Sequence, residues 1–199
     1  VKRLLIVRHG ETEWNAVRRL QGQTDIALSD RGREQARALR PLIAAQRPDL
    51  VVSSDLRRAA ETAALLGHAD ARLTPDLREQ CLGDWSGRDI ADLQADAAQD
   101  YADWRAGRFT PPDAEGWDSF RDRVAGAMQD AAAQAGHTAL VVCHGGVIRA
   151  ALQALVGLPP SRVVPVAPAS LTILLMDPNG ARIEAMNIAP GALRLDAPD

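Results

Sequence analysis

The 199-residue chain has only two cysteines, Cys81 and Cys143. Two thiols make no disulfide framework, and so low a number suits a reducing compartment. Basic charge is not in excess either: 23 Lys and Arg stand against 26 Asp and Glu, a net charge of −3. A general nucleic-acid binder needs a basic surface to neutralise phosphates, so that class is set aside. Any anion site must be a local gathering of arginines rather than a global field. No apolar run is long enough to span a bilayer and no basic-then-apolar leader opens the stretch, so the cytoplasm is the expected location, without a membrane partner. His68 and His137 share no ligand-like spacing with another histidine. Both are expected to face solvent, and neither metal nor organic cofactor is expected.

What is there is an ordinary globular composition, 46% hydrophobic and 25% charged, in a chain long enough to bury a substantial core. Three short apolar runs, Leu4-Leu5-Ile6-Val7, Leu50-Val51-Val52 and residues 139–142, predict buried parallel strands. Helices are expected between them. One starts at a Ser29 cap, carries Ala36, Leu39 and Ile43, and ends before Pro48; the next is capped by Ser54 or Asp55. Another runs over 117–135 to Gly136, and the last stops before Gly157. Residues 171–176 and 183–188 flank a Pro178-Asn179-Gly180 turn and predict an antiparallel hairpin. The alternation predicts a three-layer α/β/α sandwich with a mostly parallel central sheet and an antiparallel edge strand. Right-handed crossovers bring the first and third strand tips to one edge. With no repeat or linker, residues 1–199 form one domain. Its least regular part, about 83–116, is a lid-like insertion in which Trp85, Tyr101 and Trp104 pack, and residues beyond 189 form a peripheral tail.

The first strand ends abruptly in Arg8-His9-Gly10, and the third in Cys143-His144-Gly145-Gly146. Open α/β sheets hold ligands at such carboxyl ends. Gly10 permits a sharp turn and a close backbone approach. Arg57 and Arg58 fall in the first turn of a helix, against the dipole, a placement that makes sense with an anion in front of them. Arg8, Arg57, His9 and His144 can therefore converge on a tetrahedral anion, the guanidinium forks holding its oxygens. One imidazole attacks phosphorus, splitting a hard hydrolysis into two easier steps. Neighbouring arginines disfavour its charged form. The leaving alkoxide needs a proton, and Glu79 is the candidate donor.

These residues carry a family resemblance. Arg8-His9-Gly10-Glu11-Thr12 resembles the signature of the histidine phosphatase superfamily in its phosphoglycerate-mutase-like branch. Further blocks follow in order: Gln21-Gly22 with Asp25 and Gly32, residues 53–63, Leu77-Arg78-Glu79 with residues 82–87, and His144-Gly145-Gly146-Val147-Ile148-Arg149. The resemblance implies a phosphoglycerate mutase-like fold. His9 is then the phosphorylated nucleophile, with Arg8, Arg57 and His144 as the phosphate pocket and Glu79 as general acid and base. Arg58 is left on the surface. Asn15, Gln21, Gly22 and the Gly145 backbone are implied contacts to phosphate or substrate. The implied enzyme is a metal-independent phosphomonoesterase acting on a small phosphorylated metabolite, with residues 82–87 similar to sugar-phosphoglycerate phosphatases. A nucleoside-type phosphate such as ribazole phosphate and broad specificity stay open, as do a phosphoglycerate mutase and a non-catalytic phospho-ligand binder. Pairing of the edge hairpin with a second copy would make a homodimer. A rival reading takes Cys143 and Arg149 as a Cys-x5-Arg thiolate phosphatase loop; it leaves Arg8, His9 and Arg57 idle.

Overall fold

The computed structural model of the chain describes residues 2–191. Strand β1 (Lys2–Arg8) occupies the middle of a six-stranded sheet, with β2 (Leu50–Ser54), β3 (Arg72–Thr74), β4 (Thr138–Cys143), β5 (Leu171–Asp177) and β6 (Gly180–Ile188) in the order β3-β2-β4-β1-β5-β6. The first four in that order are parallel, β5 runs antiparallel to β1, and β6 antiparallel to β5. Arg8 pairs in register with Cys143. The expected convergence of the two histidine-bearing strand tips follows from that register, since His9 and His144 are the next residues on two neighbouring strands.

Helices cover both faces because successive strand residues point opposite ways. Leu4 and Ile6 pack with Phe120, Val124 and Met128 of α6 (Trp117–Gln134) and with Val147 and Ile148 of α7 (Gly145–Val156). Leu5 and Val7 pack against Leu39 and Ile43 of α2 (Asp30–Gln46) and Ala59 and Ala63 of α3 (Arg57–Leu65). A one-turn helix α1 (Glu13–Ala16) follows β1, and α4 (Ile90–Asp96) and α5 (Ala98–Arg105) lie within the 83–116 segment. There Trp85, Ile90, Leu93, Tyr101 and Trp104 join Leu20 and Leu82 in a small core that ties the segment to the rest of the chain. The packing role expected for its aromatics stands.

Local chemistry explains the element ends. Ser29 Oγ accepts from Gly32 N at 3.1 Å and caps α2. Gly157, at φ +69°, ends α7 in the left-handed conformation that glycine takes without a Cβ penalty. Gly136 does not do this for α6, whose cap residue Ala135 is extended. Instead the Asp49 carboxylate accepts from the amides of Gly136, His137 and Thr138 and steers the chain into β4. Residues 72–74 make the short edge strand β3, paired parallel with β2. His137 is exposed as expected, whereas His68 is half-buried. The tail beyond 189 lies mainly outside the described residues.

Candidate active site

Beyond β1 the chain presents Arg8 and His9, both buried, and His144 lies beside them with ring centroids 5.2 Å apart. The His9 amide donates to the Cys143 carbonyl at 2.9 Å, continuing the β1–β4 pairing past the strand tips. Gly10 is needed for a close approach, but to the protein itself: a Cβ there would collide with the backbone carbonyl of Gly32 in the first turn of α2. Its amide donates to Thr62 Oγ1 at 3.1 Å.

His9 Nδ1 lies 2.6 Å from the Gly10 carbonyl, which can only accept, so Nδ1 carries the proton and Nε2 keeps the lone pair. Burial, then the charges of Arg58 and Arg8, hold the imidazolium form of His9 well below its ordinary range. His144 Nε2 lies 2.8 Å from Ser54 Oγ, which also accepts from Leu56 N at 3.3 Å. One proton assignment satisfies this group: Ser54 donates to Nε2, and Nδ1, buried without a partner among the described residues, carries the remaining hydrogen. Burial and then Arg58 again keep the ring neutral. The two imidazoles thus present opposite functions, a lone pair on His9 and an N–H on His144.

The second arginine of the site is Arg58, and the assignment of Arg57 is overturned. Arg58 is 1% exposed, lines the cleft with Arg8 and His9, and donates to the carbonyls of Gly22 and Thr24. Burial pushes its guanidinium down to about 10, which leaves it charged at neutral pH. Arg57 is exposed, and its backbone amide donates to Asp25 Oδ1 at 2.7 Å. The negative group at the start of α3 is therefore Asp25 of the chain itself, which offsets the unfavourable dipole placement of the arginines. A signal for Arg58 was available. Ala59 and Ala63 mark the buried face of α3, Arg58 and Thr62 adjoin it, and Arg57 shares its face with Glu61, a surface partner of Arg33.

Glu79 reaches the cleft from the segment after β3. Its Oε2 accepts from Gly146 N at 2.9 Å and its Oε1 from Gln80 N at 2.8 Å, so both oxygens are held. A Cβ on Gly146 would strike this carboxyl, which explains a glycine there. Gln21, Gly22 and Gly145 line the cleft. Gly22, at φ +51°, also works through its carbonyl on Arg58. Asn15 is fully buried and does not form the cleft wall; its Oδ1 accepts from Thr12 N in a reciprocal capping box that fixes α1. The Thr12 hydroxyl lies 3.0 Å from both Asn15 Oδ1 and Gln21 Oε1. Asn15 therefore supports the turn that carries Gln21.

The cleft opens to solvent at the strand tips, and about 660 Å³ of empty space lies within and in front of it. Its walls also hold Arg149, which the sequence offered only in the rival thiolate reading, and residues that sequence reasoning missed: Arg105 and the apolar strap 163–166. The Arg149 guanidinium lies between the rings of Trp104 and Trp117, 5.3 and 5.0 Å from their centroids. Cys143 faces the core, fully buried, and burial pushes its thiol up, so it is no thiolate nucleophile. Among the described residues no group of three or more His, Cys, Asp or Glu is placed to hold a metal ion, and no helix is long and apolar enough to cross a membrane.

Comparison with known proteins agrees with this geometry. Residues 4–189 match the model of the histidine phosphatase superfamily (branch 1). The chain is 40% identical over 171 residues to a glucosyl-3-phosphoglycerate phosphatase of Mycolicibacterium vanbaalenii, covering 80% of this chain and 76% of that one. It is 34% identical over 165 residues to the adenosylcobalamin/alpha-ribazole phosphatase of Escherichia coli, covering 79% and 80%. A solved mycobacterial glucosyl-3-phosphoglycerate phosphatase in complex with VO3 superposes with a TM-score of 0.86 at 34% identity, covering 94% and 99%. With a lone-pair histidine, an N–H histidine and two buried arginines at adjoining strand tips, the chain belongs to branch 1 of the histidine phosphatase superfamily.

Proposed function

We propose that this single domain, with residues 83–116 as its lid, hydrolyses small phosphomonoesters through a phosphohistidine on His9. The observation that carries the reading is the His9 Nδ1 contact to the Gly10 carbonyl, which leaves a lone pair on Nε2 at the base of an arginine-lined cleft. Nε2 attacks phosphorus as the bond to the leaving oxygen breaks. Arg8, Arg58 and the Nδ1 hydrogen of His144 bind the three non-bridging oxygens and stabilise their growing charge. Glu79 gives its proton to the leaving alkoxide, then removes one from the water that attacks the phosphohistidine, so His9 and Glu79 both return to their starting states. Gln21 and the Gly145 amide complete the phosphate site, and no metal is required.

Four arginines and one carboxylate, Glu79, line the cleft. A phosphate dianion engages Arg8 and Arg58, while Arg105 and Arg149 also line the cleft. The phosphoglycerate in the name of the 40% identical relative supports a phosphomonoester whose leaving group bears a carboxylate. The cytoplasm fits two free cysteines, and the exposed edge of β6 could pair with a second copy. The deciding experiment follows phosphate release over a panel of phosphomonoesters with acid-labile labelling of the enzyme. Release with transient labelling of His9 supports the reading, with carboxylated esters ahead of ribazole-type phosphates. Exchange of phosphoglycerate isomers without release refutes it in favour of a mutase.

A further inference from the structure

We infer that Arg123 and Glu115 clamp the backbone on both sides of Glu79 and so set the position of its carboxyl; the inference rests on Glu79 being the proton donor. Residues 78–82 belong to no helix or strand, so nothing in regular secondary structure aims Glu79. Arg123, on α6, supplies the missing constraint upstream. Its Nη1 donates to the carbonyls of Asp76 at 2.8 Å, Arg78 at 3.2 Å and Pro75 at 3.4 Å. Its remaining fork, Nε and Nη2, engages Glu115 Oε1 at 3.0 Å and Oε2 at 2.7 Å.

Glu115 supplies the downstream constraint. Its carbonyl accepts from Gln80 Nε2 at 2.7 Å, its amide donates to the Cys81 carbonyl at 2.9 Å, and its carboxylate accepts from Cys81 N at 3.4 Å. Gln80 in turn accepts from Trp104 Nε1 at 3.1 Å. Residues 76, 78, 80 and 81 are thus tied to one ion pair, and Glu79 is the residue in the middle. The carboxyl itself is held by Gly146 of α7, which packs against α6, so one rigid helix pair fixes both the backbone and the head group. The planar fork of arginine is suited to this because it grips a carboxylate bidentately and keeps a nitrogen for carbonyls. Arg123 is a positioning residue: it does not line the cleft, and its hydrogen bonds act on the segment that carries Glu79.

A clamp on a proton donor and a merely structural tie differ in their dependence on the leaving group. An alkoxide needs protonation as it departs, whereas 4-nitrophenolate leaves without it. The test measures kcat/KM, which reports phosphorylation of His9, for an alkyl phosphate and for 4-nitrophenyl phosphate in wild type, Arg123→Leu, Glu115→Gln and Glu79→Gln. The expected result is a loss on the order of 10- to 100-fold for the alkyl ester and under about threefold for the aryl ester in the clamp variants. Glu79→Gln should show the same split, larger. If Glu79→Gln shows the split and the clamp variants lose both activities equally, the clamp is overturned and the role of Glu79 stands. If Glu79→Gln shows no split, the proton-donor reading itself falls. Should Arg123→Leu not fold, Arg123→Lys, which keeps a charge but not the fork, is read by the same ratio.

Discussion

Arg58 Nη2 donates to the carbonyl of Gly22, 36 residues earlier in the chain, at 2.7 Å. With a second bond from Nη1 to the Thr24 carbonyl, the buried guanidinium joins the loop that carries Gln21 to the helix that carries Arg58 itself. Its Nε, also buried, has no partner among the described residues. Arg58→Ala should lower kcat/KM by about 10²- to 10³-fold through loss of charge stabilisation. It should also cost about 1–3 kcal/mol of stability by leaving buried carbonyls unsatisfied. Arg57→Ala, which removes an exposed side chain and keeps the amide bond to Asp25, should change kcat/KM less than about threefold. Parallel assays and urea unfolding of the two variants check this, and equal losses would return the assignment to Arg57.

His9 and Cys143 sit at the ends of neighbouring strands with opposite surroundings. The first owns a lone pair over the cleft; the second is a thiol facing the core. His9→Ala should abolish turnover and phosphoenzyme labelling. Cys143→Ser should keep most activity per folded molecule, while burial of a more polar hydroxyl lowers stability by about 1–2 kcal/mol. An active His9→Ala protein and an inactive, well-folded Cys143→Ser protein would restore the thiolate mechanism.

Strand tips were legible because β1 and β4 are continuous apolar runs ending in His-Gly, and a parallel sheet leaves few ways to place them. Arg58 was misassigned because adjacent positions in a first helical turn differ only in which face is buried, and motif spacing alone does not weigh that; the Ala59 and Ala63 stripe does. The Asn15 capping box was not read from the sequence because amides serve caps and ligands equally well, and only three-dimensional placement shows the cap. The outer wall was illegible for a different reason. Arg105, Arg149 and residues 163–166 come from a lid helix, a core helix and an irregular strap, and no periodicity relates them.

Ser54 Oγ lies 2.8 Å from His144 Nε2, and this contact selects which nitrogen of the His144 ring carries the hydrogen. Ser54→Ala leaves the ring neutral but frees its tautomer, so Nε2 can carry the proton and Nδ1 would then repel a phosphate oxygen. The expected outcome is roughly a tenfold fall in kcat/KM for the alkyl and the aryl ester alike, because the oxygens are bound whatever the leaving group. Inhibition by vanadate should weaken in step. A fall confined to the alkyl ester would show that Ser54 acts through Glu79 instead.

His9 and His144 together make folding stability depend on pH below the ordinary histidine range. Both are fully buried and kept neutral far below 6.5, by burial first and by Arg58 next. In the unfolded chain each takes up a proton near 6.5. The folded form has the lower value, so below 6.5 the unfolded state binds more protons and stability falls as pH falls; above 6.5 both states are neutral and these groups add no slope. Each histidine contributes up to about 1.4 kcal/mol per pH unit, continuing down to its folded value. The depressed carboxyls of Asp49 and Asp55 act only as pH falls below the usual carboxylate range, so they do not confuse this window. Urea unfolding between pH 7.5 and 5.5 should show a level region followed by a decline. His9→Asn or His144→Gln should remove about half of that decline, and an unchanged slope in both variants would mean that the two rings are not buried neutral.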